Sequence, residues 1–305
     1  MVQRRAFDST KDYDAISEFL FAHHQAGNGD GNWLQPIWEY AYTHPWFDES
    51  AVDRIGVWEQ HGQIVAVVTY EMRLGEAFLQ TAAGFDSLKP KMLMHAEEYL
   101  AGKTDDGADT LRVYVNDFDR AFEQYVASRG YERLPESDRP MSLFAIPAPF
   151  PDIHLPPGFR VKSLQEENDL RKVHRVLWRG FDHPGDPDED PDGIAGRQRM
   201  QSGPHFRADL TTVVEAPGGD FVSYCGMWYD AVNRYGYVEP VATDPDYRRR
   251  GLGRAAVLDA IRRCGEAGAT VAYVGTDKPF YLSFGFERLS AQHCWVKRID
   301  DRGRR

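Results

Sequence analysis

The sequence predicts a mixed α/β protein made of two domains that share one order of helices and strands. Its 305 residues favour two domains over one. A proline-rich segment divides the chain near its midpoint, and the two halves resemble each other both in short motifs and in the order of their elements. We therefore expect a domain of residues 1–145, a linker of residues 146–158 and a domain of residues 159–305.

The proline-rich segment is the clearest boundary in the chain. Proline fixes φ and lacks a backbone N–H, so a run of prolines favours an extended, unpaired segment over a helix or a central strand. The prolines concerned are Pro147, Pro149, Pro151, Pro156 and Pro157. A linker is the simplest interpretation of this segment.

The two halves repeat the same predicted elements. Each begins with an amphipathic helix, at residues 13–23 and at residues 170–178. Each continues with a hairpin that turns at glycine, then a strand, a long helix and another strand. Residues 129–134 read Arg-Gly-Tyr-Glu-Arg-Leu, and residues 284–289 read Phe-Gly-Phe-Glu-Arg-Leu. An ordered match of whole elements favours an internal duplication over chance.

The second half contains a strand, a basic glycine-containing loop and a helix in succession. Residues 235–243 predict the strand, residues 248–254 read Arg-Arg-Arg-Gly-Leu-Gly-Arg, and residues 251–267 predict the helix. The first N–H groups of a helix lack internal partners and lie at the positive end of its dipole, so they attract anions. The loop therefore predicts a phosphate site, although its arginines could instead be merely solvated. It matches neither a Walker loop nor a dinucleotide fingerprint.

A second motif lies downstream, where residues 280–286 read Phe-Tyr-Leu-Ser-Phe-Gly-Phe. Together the two segments resemble the GNAT superfamily of N-acetyltransferases, and the resemblance extends from about residue 159 to residue 299. Arg248, Gly251 and Gly253 match its motif [Q/R]xxGx[G/A], and residues 280–286 match its motif FYxxxGF without a gap. The resemblance implies two tandem domains, each a mixed, mostly antiparallel twisted sheet flanked by helices.

The resemblance also implies acetyl-CoA as co-substrate. The family holds the pyrophosphate on this loop and pairs the pantetheine arm with the backbone of the preceding strand. The strand residues are then Val241, Ala242 and Thr243. The loop residues are then Arg248, Arg249, Arg250, Gly251, Leu252, Gly253 and Arg254.

Two residues are candidates for proton transfer in a direct acetylation of a primary amine. A lysine-like amine is neutral only about once in 10³ molecules at pH 7, so a base is useful. Glu239 lies where family members often place one, and strand alternation puts it on the same face as Val241; it could equally be a hydrogen-bonded structural carboxylate. Tyr281 matches the tyrosine that protonates the departing thiolate, with a packed aromatic residue as the alternative.

The chain departs from the family pattern in two places. Many members carry an asparagine seven residues before this tyrosine, where Val274 stands here, and Thr276 is a candidate replacement. In the first half, residues 81–90 contain one glycine and no RxxGxG, and Val126 occupies the position of the tyrosine. We therefore expect the first domain to be GNAT-like but unable to bind acyl-CoA.

Composition limits the remaining function classes. A formal net charge of −11 argues against nucleic acid or an anionic membrane as the main partner. The three cysteines show no CxxC spacing, and no metal-ligand cluster is evident. With no secretory leader and no membrane-length apolar run, a cytoplasmic location is expected.

We expect a small-molecule amine acceptor and a monomer or homodimer. The alternatives are a non-enzymatic acyl-CoA-binding regulator and a catalyst for a longer acyl donor.

Overall fold

The computed structural model describes residues 1–104, 106–185, 187–190 and 192–299. The chain forms two compact units. One comprises Met1–Pro140 with the segment that begins at Ser290, and the other comprises Met141–Leu289. Within the described ranges, no helix is both long and apolar enough to cross a lipid bilayer.

In its described residues, the first unit is a mixed sheet with four α-helices. Its strands are β1 (Gln3–Ala6), β2 (Gly56–Gln60), β3 (Gln63–Thr69), β4 (Glu76–Thr81), β5 (Gly102–Lys103), β6 (Asp109–Asn116), β7 (Glu132–Arg133) and, from later in the chain, β14 (Glu287–Arg298). Its helices are α1 (Asp12–His23), α2 (Gln35–Thr43), α3 (Lys89–Tyr99) and α4 (Arg120–Ser128). The main order is β1-β2-β3-β4-β6-β14, and among its described residues only the β4–β6 pair is parallel.

The second unit repeats this plan. Its strands are β8 (Arg139–Ala145), β9 (Arg160–Ser163), β10 (Thr212–Glu215), β11 (Phe221–Asp230), β12 (Tyr235–Thr243) and β13 (Val271–Val274). Its helices are α5 (Leu170–Gly180), α6 (Gly193–Met200), α7 (Leu252–Glu266) and α8 (Pro279–Leu282). The order is β8-β13-β12-β11-β10-β9, and within the part of this unit that the structure describes only the β12–β13 pair is parallel.

The elements follow the apolar pattern of the sequence. The predicted opening helices are confirmed as α1 and α5, and α1 buries Ile16, Phe19 and Leu20 as its spacing predicts. The predicted strand of residues 235–243 is confirmed as β12. Helix α7 buries its apolar side chains in the same core as those of β11 and β12. The mixed α/β fold class is therefore confirmed.

The central parallel pair diverges in both units. Strands β12 and β13 pair only from Tyr235 to Tyr237 on β12, and β4 and β6 pair only from Glu76 to Phe78 on β4. Beyond those residues, the edge of β12 that faced β13 has no strand partner in the described part of the unit. Unpaired backbone groups on such an edge are available to a ligand.

The compact units differ from the predicted domains of residues 1–145 and 159–305. Strand β14 pairs with β6 from Gln292 to Arg298, so these residues lie in the first unit. Strand β8 pairs with β13 from Ser142 to Ala145, so these residues lie in the second unit. The boundaries of the compact units therefore follow the strand pairing and not the proline-rich segment. Residues 146–158 nevertheless contain neither helix nor strand.

Candidate active site

The loop between β12 and α7 has a tightly specified backbone. Asp244 directly follows the strand, and its side chain accepts a hydrogen bond from the backbone N–H of Asp246 at 3.0 Å, which starts a short turn. Arg249 has φ +63° and Gly251 has φ +80°, so both lie in the left-handed region. Helix α7 begins directly after Gly251, and its first-turn N–H groups have no intrahelical acceptors. The predicted anion-binding geometry is therefore present in the backbone.

The two glycines of the loop serve different purposes. Gly251 has open space around a hypothetical Cβ, but its positive φ disfavours any other residue. At Gly253 a Cβ would lie 2.8 Å from Oγ1 of Thr243 and 3.4 Å from the ring of Phe280. The helix start therefore lies unusually close to the end of β12, which brings the loop and the free strand edge together.

A cavity of about 540 Å³ lies against this loop. Ten residues predicted for the site line it: Val241, Ala242, Thr243, Arg248, Arg249, Gly251, Leu252, Gly253, Arg254 and Tyr281. Six others line it that the sequence did not single out individually for the site: Gly180, Tyr247, Lys278, Phe280, Ser283 and Phe284. Arg250 and Glu239 do not line it, and neither does Thr276. The cavity thus collects most of the predicted site in one place.

The arginines of the loop are not equivalent. Arg248 donates to the backbone oxygens of Thr243 and Gly180, at 3.1 and 2.9 Å, and to Asp182 at 2.9 Å. Arg250 donates to the backbone oxygen of Asp246 and lies 5.2 Å from the centre of the Tyr247 ring. These two side chains are therefore engaged by the protein itself.

Arg249 and Arg254 remain as cations that line the cavity. Neither forms an ion pair with a residue of the described ranges, and Arg254 lies 5.8 Å from the centre of the Phe284 ring. An arginine without a carboxylate partner is available for charge-assisted hydrogen bonds to an anion. Of the four predicted arginines, these two have side chains free to meet a phosphate.

Tyr281 lies on α8 within a cluster of aromatic rings. Its ring centre is 4.9 Å from that of Phe280 and 5.6 Å from that of Phe286, and the residue is only 9% exposed. Burial, with smaller contributions from the charges of Cys225 and Glu239, raises the pKa of Tyr281 above its ordinary value. A tyrosine hydroxyl is protonated at neutral pH even without this shift, as a general acid requires.

Glu239 lies on β12 with its carboxylate held by a neighbour. The hydroxyl of Tyr237 donates to Oε2 of Glu239 at 2.7 Å, and the indole N–H of Trp228 donates to its backbone oxygen at 2.9 Å. Glu239 and Val241 are both half-buried, whereas Val238 is buried. This alternation agrees with the expectation that Glu239 and Val241 lie on the same face of β12. The pairing of β11 and β12 is irregular there.

In the first unit, the equivalent strand edge and loop are already occupied. The side-chain amide of Asn32 donates to the backbone oxygen of Thr81 at 3.0 Å and accepts from its N–H at 2.8 Å. At the start of α3, Lys89 forms ion pairs with Asp86 at 2.7 Å and Asp119 at 2.6 Å. Asn32 therefore engages both backbone groups of Thr81, whereas at Thr243 Arg248 donates to the backbone oxygen, and the start of α7 keeps two arginines without an ion pair in the described ranges. This agrees with the loss of motifs in the sequence.

Comparisons with known proteins identify one matching family and several similar structures. The profile of the acetyltransferase (GNAT) family matches residues 170–286. No curated protein matches the chain in sequence. A GCN5-related N-acetyltransferase from Sphaerobacter thermophilus is similar in structure, with a TM-score of 0.65 at 15% identity, over 98% of this chain and 96% of the other. A tandem GNAT protein from the clavulanic acid biosynthesis pathway has a TM-score of 0.64 at 12% identity, over 98% and 99%.

A third similar structure comes from a different kind of acyl transfer. The N-myristoyltransferase of Saccharomyces cerevisiae with bound myristoyl-CoA has a TM-score of 0.58 at 14% identity, over 97% of this chain and 80% of the other. Similarity at such identities shows the fold alone.

These findings define a protein with two GNAT-like units in tandem. The second unit carries the sequence motifs. Residues 170–286 belong to the acetyltransferase (GNAT) family. Members of this family are acyltransferases. Within the described ranges, no group of three or more His, Cys, Asp or Glu side chains is arranged to hold a metal ion.

Proposed function

We propose that the protein transfers the acetyl group of acetyl-CoA directly to the primary amine of a small molecule, at the site of the second unit. One observation carries the proposal: a single cavity brings together an anion-binding helix start, a free strand edge and a buried tyrosine. These are the three features that an acyl-CoA thioester needs for binding and for departure of its thiolate.

Each part of the donor has a matching part of the site. The first turn of α7 and the side chains of Arg249 and Arg254 would hold the pyrophosphate through backbone N–H groups and charge-assisted hydrogen bonds. The edge from Val241 to Thr243 has no strand partner, and apart from the backbone oxygen of Thr243, which accepts from Arg248, its groups would pair with the amides of the pantetheine arm. An N–H of this edge, near Val241, would also stabilise negative charge on the thioester oxygen.

The proton transfers are assigned to two side chains. Tyr281 donates a proton to the departing thiolate, since a tyrosine hydroxyl is protonated at neutral pH and this one lines the donor cavity. Glu239 accepts the proton of the incoming amine through water, since its carboxylate does not line the donor cavity. The hydrogen bond from Tyr237 holds this carboxylate in place.

Calorimetric titration with acetyl-CoA tests the donor assignment. We expect one site per chain, because the first unit has internal groups at the equivalent positions. Arg249→Gln should weaken binding, whereas the matched control Arg175→Gln should leave it unchanged, since Arg175 is an exposed arginine of α5 outside the cavity. Two sites would contradict the silent first unit. No binding by the wild type would overturn the proposal.

Release of free thiol during incubation with acetyl-CoA and a panel of small amines tests the transfer. Amine-dependent release supports the enzyme. Tight binding without transfer to any amine would favour the acyl-CoA-binding regulator, in which the aromatic packing of Tyr281 is its whole role. The panel repeated with a long-chain acyl-CoA would reveal a longer donor.

A further inference from the structure

The last turn of α5 contacts the loop that follows β12, although neither motif includes it. Arg179 donates from Nε to Asp244 Oδ2 at 2.6 Å and from Nη2 to Asp244 Oδ1 at 3.1 Å. The same Nη2 donates to Asp246 Oδ2 at 2.7 Å. One guanidinium therefore spans both acidic residues of the turn that leads into the phosphate loop.

A second contact holds the other side of the same turn. The guanidinium of Arg248 reaches back to the backbone oxygen of Gly180 at 2.9 Å and to Asp182. A Cβ on Gly180 would lie 2.7 Å from Cβ of Ala242 and 3.0 Å from the backbone N of Thr243, so the helix end touches the strand directly. Arg179, in α5, thus contacts the turn, and Arg248, which follows the turn, contacts the end of α5.

The two carboxylates that Arg179 contacts differ in burial, and the contact with Asp244 is the more buried one. The side chain of Asp244 is 7% exposed and that of Arg179 is 32% exposed, whereas that of Asp246 is 76% exposed. Burial alone would raise the pKa of Asp244, but the hydrogen bonds from Arg179 and from the backbone of Asp246 outweigh it and lower that pKa. The carboxylate is therefore charged at neutral pH, and a bidentate arginine is its matching partner.

We propose that Arg179 is a positioning residue for the acyl-CoA donor: with Arg248 it fixes the end of α5 to the junction of β12 and the loop. Arg179 does not line the cavity, so it acts through the loop and not on the donor. The free strand edge at Val241–Thr243 and the N–H groups of α7 are then held in register before the donor arrives. This inference rests on the proposed function, because it concerns the affinity of that same site.

The test compares two arginines of one helix. Arg179→Gln removes the contact with Asp244, and Arg175→Gln removes a similar but exposed pair with Asp220, at 3.6 Å. Calorimetry gives the Kd of acetyl-CoA, and thiol release gives kcat at saturating acetyl-CoA. We expect Arg179→Gln to raise the Kd about tenfold, the equivalent of one charge-assisted hydrogen bond, with kcat unchanged within about twofold. Arg175→Gln should change neither value.

Each outcome decides the proposal. An unchanged Kd in folded Arg179→Gln, or a loss of kcat at an unchanged Kd, would overturn it while the proposed function stands. No binding by the wild type would overturn the proposed function, and the positioning role with it. If Arg179→Gln does not fold, Arg179→Lys keeps the charge but loses the bidentate geometry. That variant should raise the Kd about threefold, and an unchanged value would refute the role.

Discussion

Gly251→Ala adds one methyl group at the residue where the phosphate loop becomes α7. The structure leaves open space there, with no atom beyond the adjacent residues within 4 Å of the new Cβ, so overlap with the rest of the protein contributes nothing. The backbone φ of +80° is the whole cost. An L-residue in the left-handed region costs about 1–2 kcal/mol. Alanine also lowers the conformational entropy of the unfolded chain, which stabilises the folded protein by about 0.4–1 kcal/mol. The net destabilisation is therefore about 1 kcal/mol.

This cost must appear in folding, in binding or in both. If the loop keeps its conformation without the donor, the unfolding free energy falls by about 1 kcal/mol and the affinity stays the same. If the free loop relaxes to negative φ, the cost moves to the binding step and the Kd of acetyl-CoA rises about fivefold or more. The two losses should therefore sum to about 1 kcal/mol, as measured by urea unfolding and calorimetry.

Gly219→Ala is the matched control for this prediction. Gly219 has φ +89° and equally open surroundings, but it lies in the turn between β10 and β11, outside the cavity. It should lose about 1 kcal/mol of unfolding free energy and leave acetyl-CoA affinity unchanged. A Gly251→Ala protein with wild-type stability and wild-type affinity would refute the left-handed conformation assigned to the loop.

Four further predictions follow from other features. Tyr281→Phe should lower kcat by about 10²–10⁴ without changing the Kd of acetyl-CoA, and full turnover would remove its assigned role. The buried thiols Cys225, Cys264 and Cys294, whose pKa values burial raises, should resist a thiol reagent in the folded protein and react in urea. Because burial raises the pKa of Tyr281 above the unfolded value of about 10, the unfolding free energy should fall as the pH rises above 10, as urea titrations at several pH values would show. A chain cut within residues 146–158 should yield no independently folded halves, and a sharp thermal transition in either half would contradict the strand pairing.

The sequence predicts the parts of the site that depend on local chemistry. The strand, the glycine loop and α7 follow from periodicity and from the positions of two glycines, and the structure has them as expected. The sequence does not predict that the Arg248 side chain is held by the backbone of Gly180, because that partner lies 68 positions away. The interaction of Asn32 with Thr81 escapes prediction for the same reason, since its separation is 49 residues.

The strand pairing shows a different limit. The local sequence of β14 carries no information about its neighbour, because many strands present a similar apolar face. Its pairing with β6 depends on the packing of the whole unit, which no local motif encodes. The domain boundaries drawn at the prolines therefore differ from the compact units.

The position of β14 also constrains the order in which the protein is completed on the ribosome. Domains usually fold from the N-terminus as synthesis proceeds. Here β6 acquires its neighbour β14 only when residues 292–298 have emerged, after all of the second unit has been made. Until then β6 exposes an unpaired edge, a common origin of aggregation in nascent chains. The unit made first is thus the last to be finished, and a nascent chain stalled before residue 292 would retain that exposed edge.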